Sequence, residues 1–201
     1  MQQYHTGTVM KITHTMAMLD MIERIRDTRI DRGLSLSELD GVESFFAFRF
    51  PPDLAELLRA GLPIGEKWPN WRAAVQGDDN AIKQIQQMLD WPHEGMCFDV
   101  EHNGAWDPSW GSRPASMQDA LRIASDAVRA APMLIPVYGH RYLPSDPCEA
   151  GNPVFSIHQW DIIVYGRDLQ SYFEAECDGW RPELSADAKT IRSWTAWSMM
   201  D

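Results

Sequence analysis

Hydrophobic positions along the chain recur with helical spacing in some windows and with a period of two in others. Met18, Met21, Ile22 and Ile25 fall at i, i+3, i+4 and i+7, which predicts a helix over about residues 14 to 30 with its methionine-rich face in the core. Pro51 and Pro52 before Asp53 mark a helix start, because proline loses nothing where the first amides are unpaired. Leu54, Leu57 and Leu58 supply its buried side and Gly61 its stop. A third helix is expected from Asp78 or Asp79 through Ile82, Ile85, Met88 and Leu89, ending before Trp91-Pro92, since proline disfavours helical geometry at the residue before it. Ser116 with Asp119 forms a capping-box-like pair at the head of a fourth, which carries Met117, Leu121, Ala124 and Val128 and closes at Pro132.

Between and after these helices the period changes. Met96, Phe98 and Val100 alternate with Cys97, Asp99 and Glu101, the pattern of a half-buried strand with its acids on the polar side. Residues 133–138, 153–158 and 160–165 read as further strands, the last two close enough for an antiparallel hairpin. The continuous run Ile162-Ile163-Val164 predicts a strand covered on both faces. Asp168 then caps a helix whose inner side is Leu169, Tyr172 and Phe173. Helices grouped around a run of adjacent strands give an α+β fold in a single domain. No internal repeat and no linker rich in Gly, Ser or Pro divides its 201 residues.

Composition narrows the partners. The 29 acidic against 18 basic residues give a formal net charge of -11, with the arginines scattered among acids. Direct nucleic-acid binding, which wants a clustered basic stripe, is therefore not expected, and a basic partner protein suits the sign. Cys97, Cys148 and Cys177 are an odd number without a Cys-x-x-Cys pair, so reduced thiols and a cytoplasmic location are expected. The longest apolar stretch, Ala131 to Gly139, falls short of the roughly 20 residues that span a bilayer, so no membrane association is expected.

Several fragments approach catalytic motifs and stop short. Gly61-Leu-Pro-Ile-Gly65-Glu-Lys67 is one residue too short for a phosphate loop and lacks the following Ser or Thr, so it reads as a turn. His93-Glu94 begins a zincin pattern whose fifth position is Cys97. No complete catalytic motif is present, and neither a cofactor nor a metal is expected. The densest set of candidate groups is His93, Glu94, Asp99, Glu101, His102 and Asp107. On a strand, Asp99 and Glu101 would share one face about 7 Å apart, close enough for a metal or an acid/base pair. A small metal-dependent hydrolase built on Asp99 and Glu101, with His93 or His102 nearby, is thus one reading, and solvated acids on a polar strand face are the other. Tryptophan is unusually frequent, with nine. Trp68, Trp71, Trp106 and Trp110 lie in loop-like sequence, where such rings anchor either the loop or a partner.

The run Phe48-Arg-Phe-Pro-Pro-Asp-Leu54 with its leucine helix and Gly61 turn resembles a motif of the SUKH superfamily, which includes fungal cell-wall assembly regulators and bacterial immunity proteins. The stretches Gly95 to Glu101, Trp106 with Trp110-Gly111, and Pro153 to Leu169 extend that resemblance over roughly residues 37 to 177. The N-terminal helical part (1–36) and the tail (178–201) then read as extensions. The resemblance implies an α+β domain, with a mixed or mainly antiparallel sheet backed by helices and a groove for protein contact rather than chemistry. It points to a non-catalytic cytoplasmic binding module, an immunity protein neutralising a toxin domain, with Trp68, Trp71, Glu94, Asp99, Glu101, Trp106, Asp107 and Trp110 as the candidate partner-binding residues.

Overall fold

The computed structural model describes residues 14–179 and 187–199, so the two terminal extensions are described in part. The fold is α+β. Helix α1 covers residues 14–22 and is followed by strand β1 (Arg29–Arg32), α2 (Leu36–Phe46), α3 (Pro52–Ala60), β2 (Gly61–Ile64), the short α4 (Trp71–Val75) and the long α5 (Asp79–His102). A 3-10 turn at Pro108–Trp110 leads to α6 (Met117–Ala130). Then come four strands, β3 (Leu134–Tyr138), β4 (Arg141–Pro144), β5 (Val154–His158) and β6 (Asp161–Gly166), and finally α7 (Leu169–Asp178) and α8 (Trp194–Trp197). The four strands form an antiparallel meander in chain order, and β1 and β2 form a separate antiparallel pair.

The sheet carries a core on each face. Ile135, Val137, Leu143 and Val154 point into a core built with α1, α2, α3, α4 and α7, where Ile22, Leu57, Trp71, Tyr172 and Phe173 are buried. Leu134, Tyr142, Phe155, Ile157 and Ile162 point the other way, onto Met96 of α5, Val128 of α6, and Ile191, Trp194 and Trp197 of the C-terminal segment. Alternating side chains along β3 to β6 thus serve both cores at once.

Three expectations are corrected. First, the helix expected to residue 30 ends at 22, and Arg29–Arg32 is a strand paired with Gly61–Ile64, the segment read as a turn. Gly33 makes the join possible, since a Cβ there would stand 1.8 Å from the Arg59 carbonyl oxygen. Ser35, which heads α2 with a full capping box to Glu38, marks a helix that periodicity alone leaves unmarked.

Second, α5 does not stop at Trp91-Pro92, and Met96 to Glu101 is helix rather than strand. Proline at 92 removes the donor that would have bonded the Met88 carbonyl. Tyr142 of β4 replaces it, its phenol donating to Met88 O at 3.0 Å, and burial pushes the phenol pKa up, so the donor proton stays in place. Ile85, Pro92, Met96, Asp99 and Val100 are buried at helical spacing. The alternation of Met96, Phe98 and Val100 belongs to a helix whose Phe98 faces out.

Third, β6 is an edge strand. Ile162 is 4% exposed and Ile163 is 37% exposed, so the apolar run alternates in burial instead of being covered on both sides. β-Branched residues suit the pleated backbone whether or not they are buried, which is why the run misleads.

Candidate functional site

The eight candidate partner-binding residues divide by burial. Trp71 is a core ring, edge-on to Phe46, Phe48 and Phe50 at 5.9, 5.8 and 5.3 Å. Trp68 is buried too, and its Nε1 donates to Thr28 Oγ1 at 2.9 Å. Trp106 and Trp110 are half-buried in a chain of rings that continues through Trp110 to Trp160 at 5.4 Å and to Trp197 at 6.1 Å. Asp107 is buried, accepting from Ser109 N at 2.7 Å and Trp197 Nε1 at 2.5 Å. These tryptophans anchor their own loops and the C-terminal segment. Only Glu94 and Glu101 of the eight are exposed.

Asp99 corrects the reading of a solvated acid. It is 7% exposed, and its two oxygens accept from Asn103 Nδ2 at 2.6 Å and from the Trp160 amide at 2.8 Å. The carboxylate therefore ties α5 to the turn between β5 and β6, whose Gln159 backbone passes 3.0 Å from where a Gly95 Cβ would stand. Glycine at 95 and aspartate at 99, one turn apart, together allow that approach.

The geometry assumed for a hydrolase is absent. Residues two apart on a helix diverge by about 200° around its axis, so Asp99 faces the core and Glu101 faces solvent. His93 turns toward α6, where its Nε2 lies 2.9 Å from Ser125 Oγ and 3.4 Å from Arg129 Nε. Because a guanidinium only donates, that ring nitrogen is the acceptor and the imidazole is neutral. Burial, then the Arg129 charge, lowers its pKa in the same direction. His102 lies on the outer side, stacked on Phe98 with ring centres 4.3 Å apart. Among the described residues, no group of three or more His, Cys, Asp or Glu side chains is arranged to hold a metal ion.

What the fold does bring together is the outer face of α5. Trp91, Glu94, Phe98 and Glu101 follow one another at steps of three, four and three residues, a single stripe along the helix. Trp91 is 43% and Phe98 44% exposed, so two large rings stand in solvent two turns apart with acids between and beyond them. Asp90 adds a further acid beside Trp91. This spacing becomes visible in the sequence only once the helix is carried through Pro92.

At Trp91 the stripe opens into a cleft of about 470 Å³. One wall is α5, through Gln84, Gln87, Met88 and Trp91. The other is the β3–β4 turn, through Tyr138, His140 and Arg141, and the lip is formed by Glu66 and Lys67. The Gly139 amide donates to Lys67 O at 2.8 Å, which holds the lip against the turn. Arg141 is fixed at the back: its guanidinium lies 4.2 Å from the centre of the Tyr165 ring, donates to Ser156 Oγ at 2.9 Å, and sits 3.5 Å from Glu176 Oε2.

No family model, curated protein or solved structure matches this chain. The site is therefore read from its own geometry.

Proposed function

We propose that the chain is a non-catalytic cytoplasmic binding module that recognises a basic protein through the outer face of α5, in the manner of SUKH-type immunity proteins that neutralise a toxin domain. The observation that carries this reading is the exposed pair Trp91 and Phe98 set among Asp90, Glu94 and Glu101. Rings left in solvent at one helical face supply anchors of large apolar area, and the flanking carboxylates favour a basic partner over an acidic one. The net charge of -11 acts in the same direction by raising the encounter rate with cations. No described helix is long and apolar enough to cross a membrane.

The test is capture of a partner from the native host by the tagged chain at low salt, repeated with Trp91→Ala/Phe98→Ala and with Glu94→Gln/Glu101→Gln. The expected result is a basic protein retained by the wild type, lost with the ring variant, and released as salt rises. Failure to retain any protein at low salt contradicts the proposal, as does retention unchanged by both variants.

A further inference from the structure

The cleft beside Trp91 has a chemistry that differs from that of the α5 stripe. In a protein with 29 acids and 18 bases, it gathers Lys67, His140 and Arg141, and His158 stands beside it with its ring centre 6.4 Å from that of His140 and 6.1 Å from that of Trp91. Two of these bases are placed by the fold and not by chance of the surface. The β3–β4 and β5–β6 turns lie at the same end of the meander, so the residues at their corners meet there, and the His140 carbonyl accepts the Ile157 amide at 3.0 Å.

We propose that this cleft is a binding site for a small organic anion carried on a flat ring, an aromatic carboxylate in the simplest case, with the charge held between Lys67, His140 and His158 and the ring held against Trp91 and Tyr138. The proposal does not depend on the protein-binding role of the α5 stripe.

Glu176 is the acid nearest the back, and it is opposed at 3.5 Å by Arg141 Nε. Burial acts against protonation of His140, as do Arg141, His158 and Lys67, whereas Asp161 favours it. Glu66 is an exposed side chain at the lip, and its backbone carbonyl is taken by Gln84 Nε2 at 2.9 Å. Arg141, His158 and Lys67 each disfavour a proton on His140, and an anion placed among them offsets that effect. Tyr138 already receives the Lys67 ammonium 5.8 Å from its ring centre, so ring and charge are adjacent in the site as they are in the ligand.

The size also fits. A cleft of about 470 Å³ lies within the range of roughly 300 to 1,000 Å³ typical of small-molecule sites. Its apolar contribution comes from Met88, Trp91, Tyr138 and Tyr142, and Lys67, His140 and Arg141 are among the polar groups that fix orientation.

Linkage sets the sign of the pH dependence. An anion that binds the protonated imidazole of His140 raises its pKa, so it binds more tightly as pH falls and protons are taken up on binding. The experiment titrates the full chain with 1-naphthoate, whose charge is constant from pH 6 to pH 8, and with two controls: acetate, which has the charge without the ring, and naphthalenemethanol, which has the ring without the charge. Calorimetry gives the affinity, and NMR follows the His140 and His158 ring protons. Naphthoate is expected to bind on the order of tenfold or more tightly than either control, to tighten several-fold from pH 8 to pH 6, and to shift both histidines. His140→Gln and Lys67→Met, both at exposed positions, are expected to weaken it about tenfold while leaving partner capture by the α5 stripe unchanged. Naphthalenemethanol binding as well as naphthoate, an affinity independent of pH, or no binding of naphthoate each overturns the proposal. Failure of the wild type to capture any partner, with its naphthoate binding intact, would instead count against the α5 stripe alone.

Discussion

The two faces of the four-stranded sheet are closed in different ways. On the first, aliphatic and aromatic side chains from α1, α2, α3, α4, α7 and the start of α5 fill the space, with Trp71 surrounded by three phenylalanines and Trp68 linked to Thr28. On the second, three buried rings and the β5–β6 turn are each held by a long-range polar link. Tyr142 bonds the Met88 carbonyl, Trp160 N bonds Asp99, Trp194 Nε1 bonds the Pro132 carbonyl at 2.7 Å, and Trp197 Nε1 bonds Asp107. Apolar packing tolerates small adjustments of shape, whereas a buried acceptor that loses its donor keeps the full cost of desolvation. The second face is therefore expected to be the more sensitive to removal of one polar atom.

The sharpest way to break this comparison is Asp99→Ala. It leaves the Trp160 amide and the Asn103 amide group without their acceptor, and the expected cost is about 3 kcal/mol, read from urea unfolding. A cost under about 1 kcal/mol would mean that the β5–β6 turn does not depend on α5. Trp197→Phe keeps most of the ring but removes the donor to Asp107, with an expected loss of about 1 to 2 kcal/mol in the same assay. At the sheet edge, Ile163→Ala is expected to cost less than about 1 kcal/mol, because its side chain is half in water. The buried Ile157 sharpens the contrast, since truncation there falls in the range of about 2 to 5 kcal/mol.

The first face has a charged margin that sharpens the contrast further. Glu38 accepts from Arg32, from the Ser35 amide and from Arg72, and these bonds hold its carboxyl at about 2, against an ordinary 4.5. A folded pKa below the unfolded one gives stability that is present above pH 4.5 and is lost as pH falls toward 2. The stability difference between wild type and Glu38→Gln should accordingly be constant from pH 7 to pH 5 and shrink between pH 4.5 and pH 2. A difference that grows on acidification reverses the sign and contradicts the assignment.

The same division explains what the chain discloses in advance. Helices α3, α6 and α7 carry local signals, a proline at the start or a capping side chain with an apolar stripe behind it, and the hairpin of β5 and β6 carries its alternation. Each depends on residues within a few positions of one another. The continuation of α5 through Pro92 depends on Tyr142, fifty residues on, and the burial of Asp99 depends on Trp160, sixty-one residues on. No periodicity records such partners, so the acid read as a surface group is a structural one. The proposed binding face is hidden for the same reason: Glu94 and Glu101 stand out among the acids, but Trp91 and Phe98 join them only when the segment is helical.

Helix α5 thus pins the second core with its inner side, and its outer side is the partner face proposed above. The direct test compares Trp91→Ala/Phe98→Ala with the wild type in one preparation, by thermal unfolding and by capture of the basic partner. The account predicts stability within about 1 kcal/mol of the wild type and loss of capture. Destabilisation of several kcal/mol, or capture that survives in a folded variant, would show that the outer rings hold the fold and not a partner.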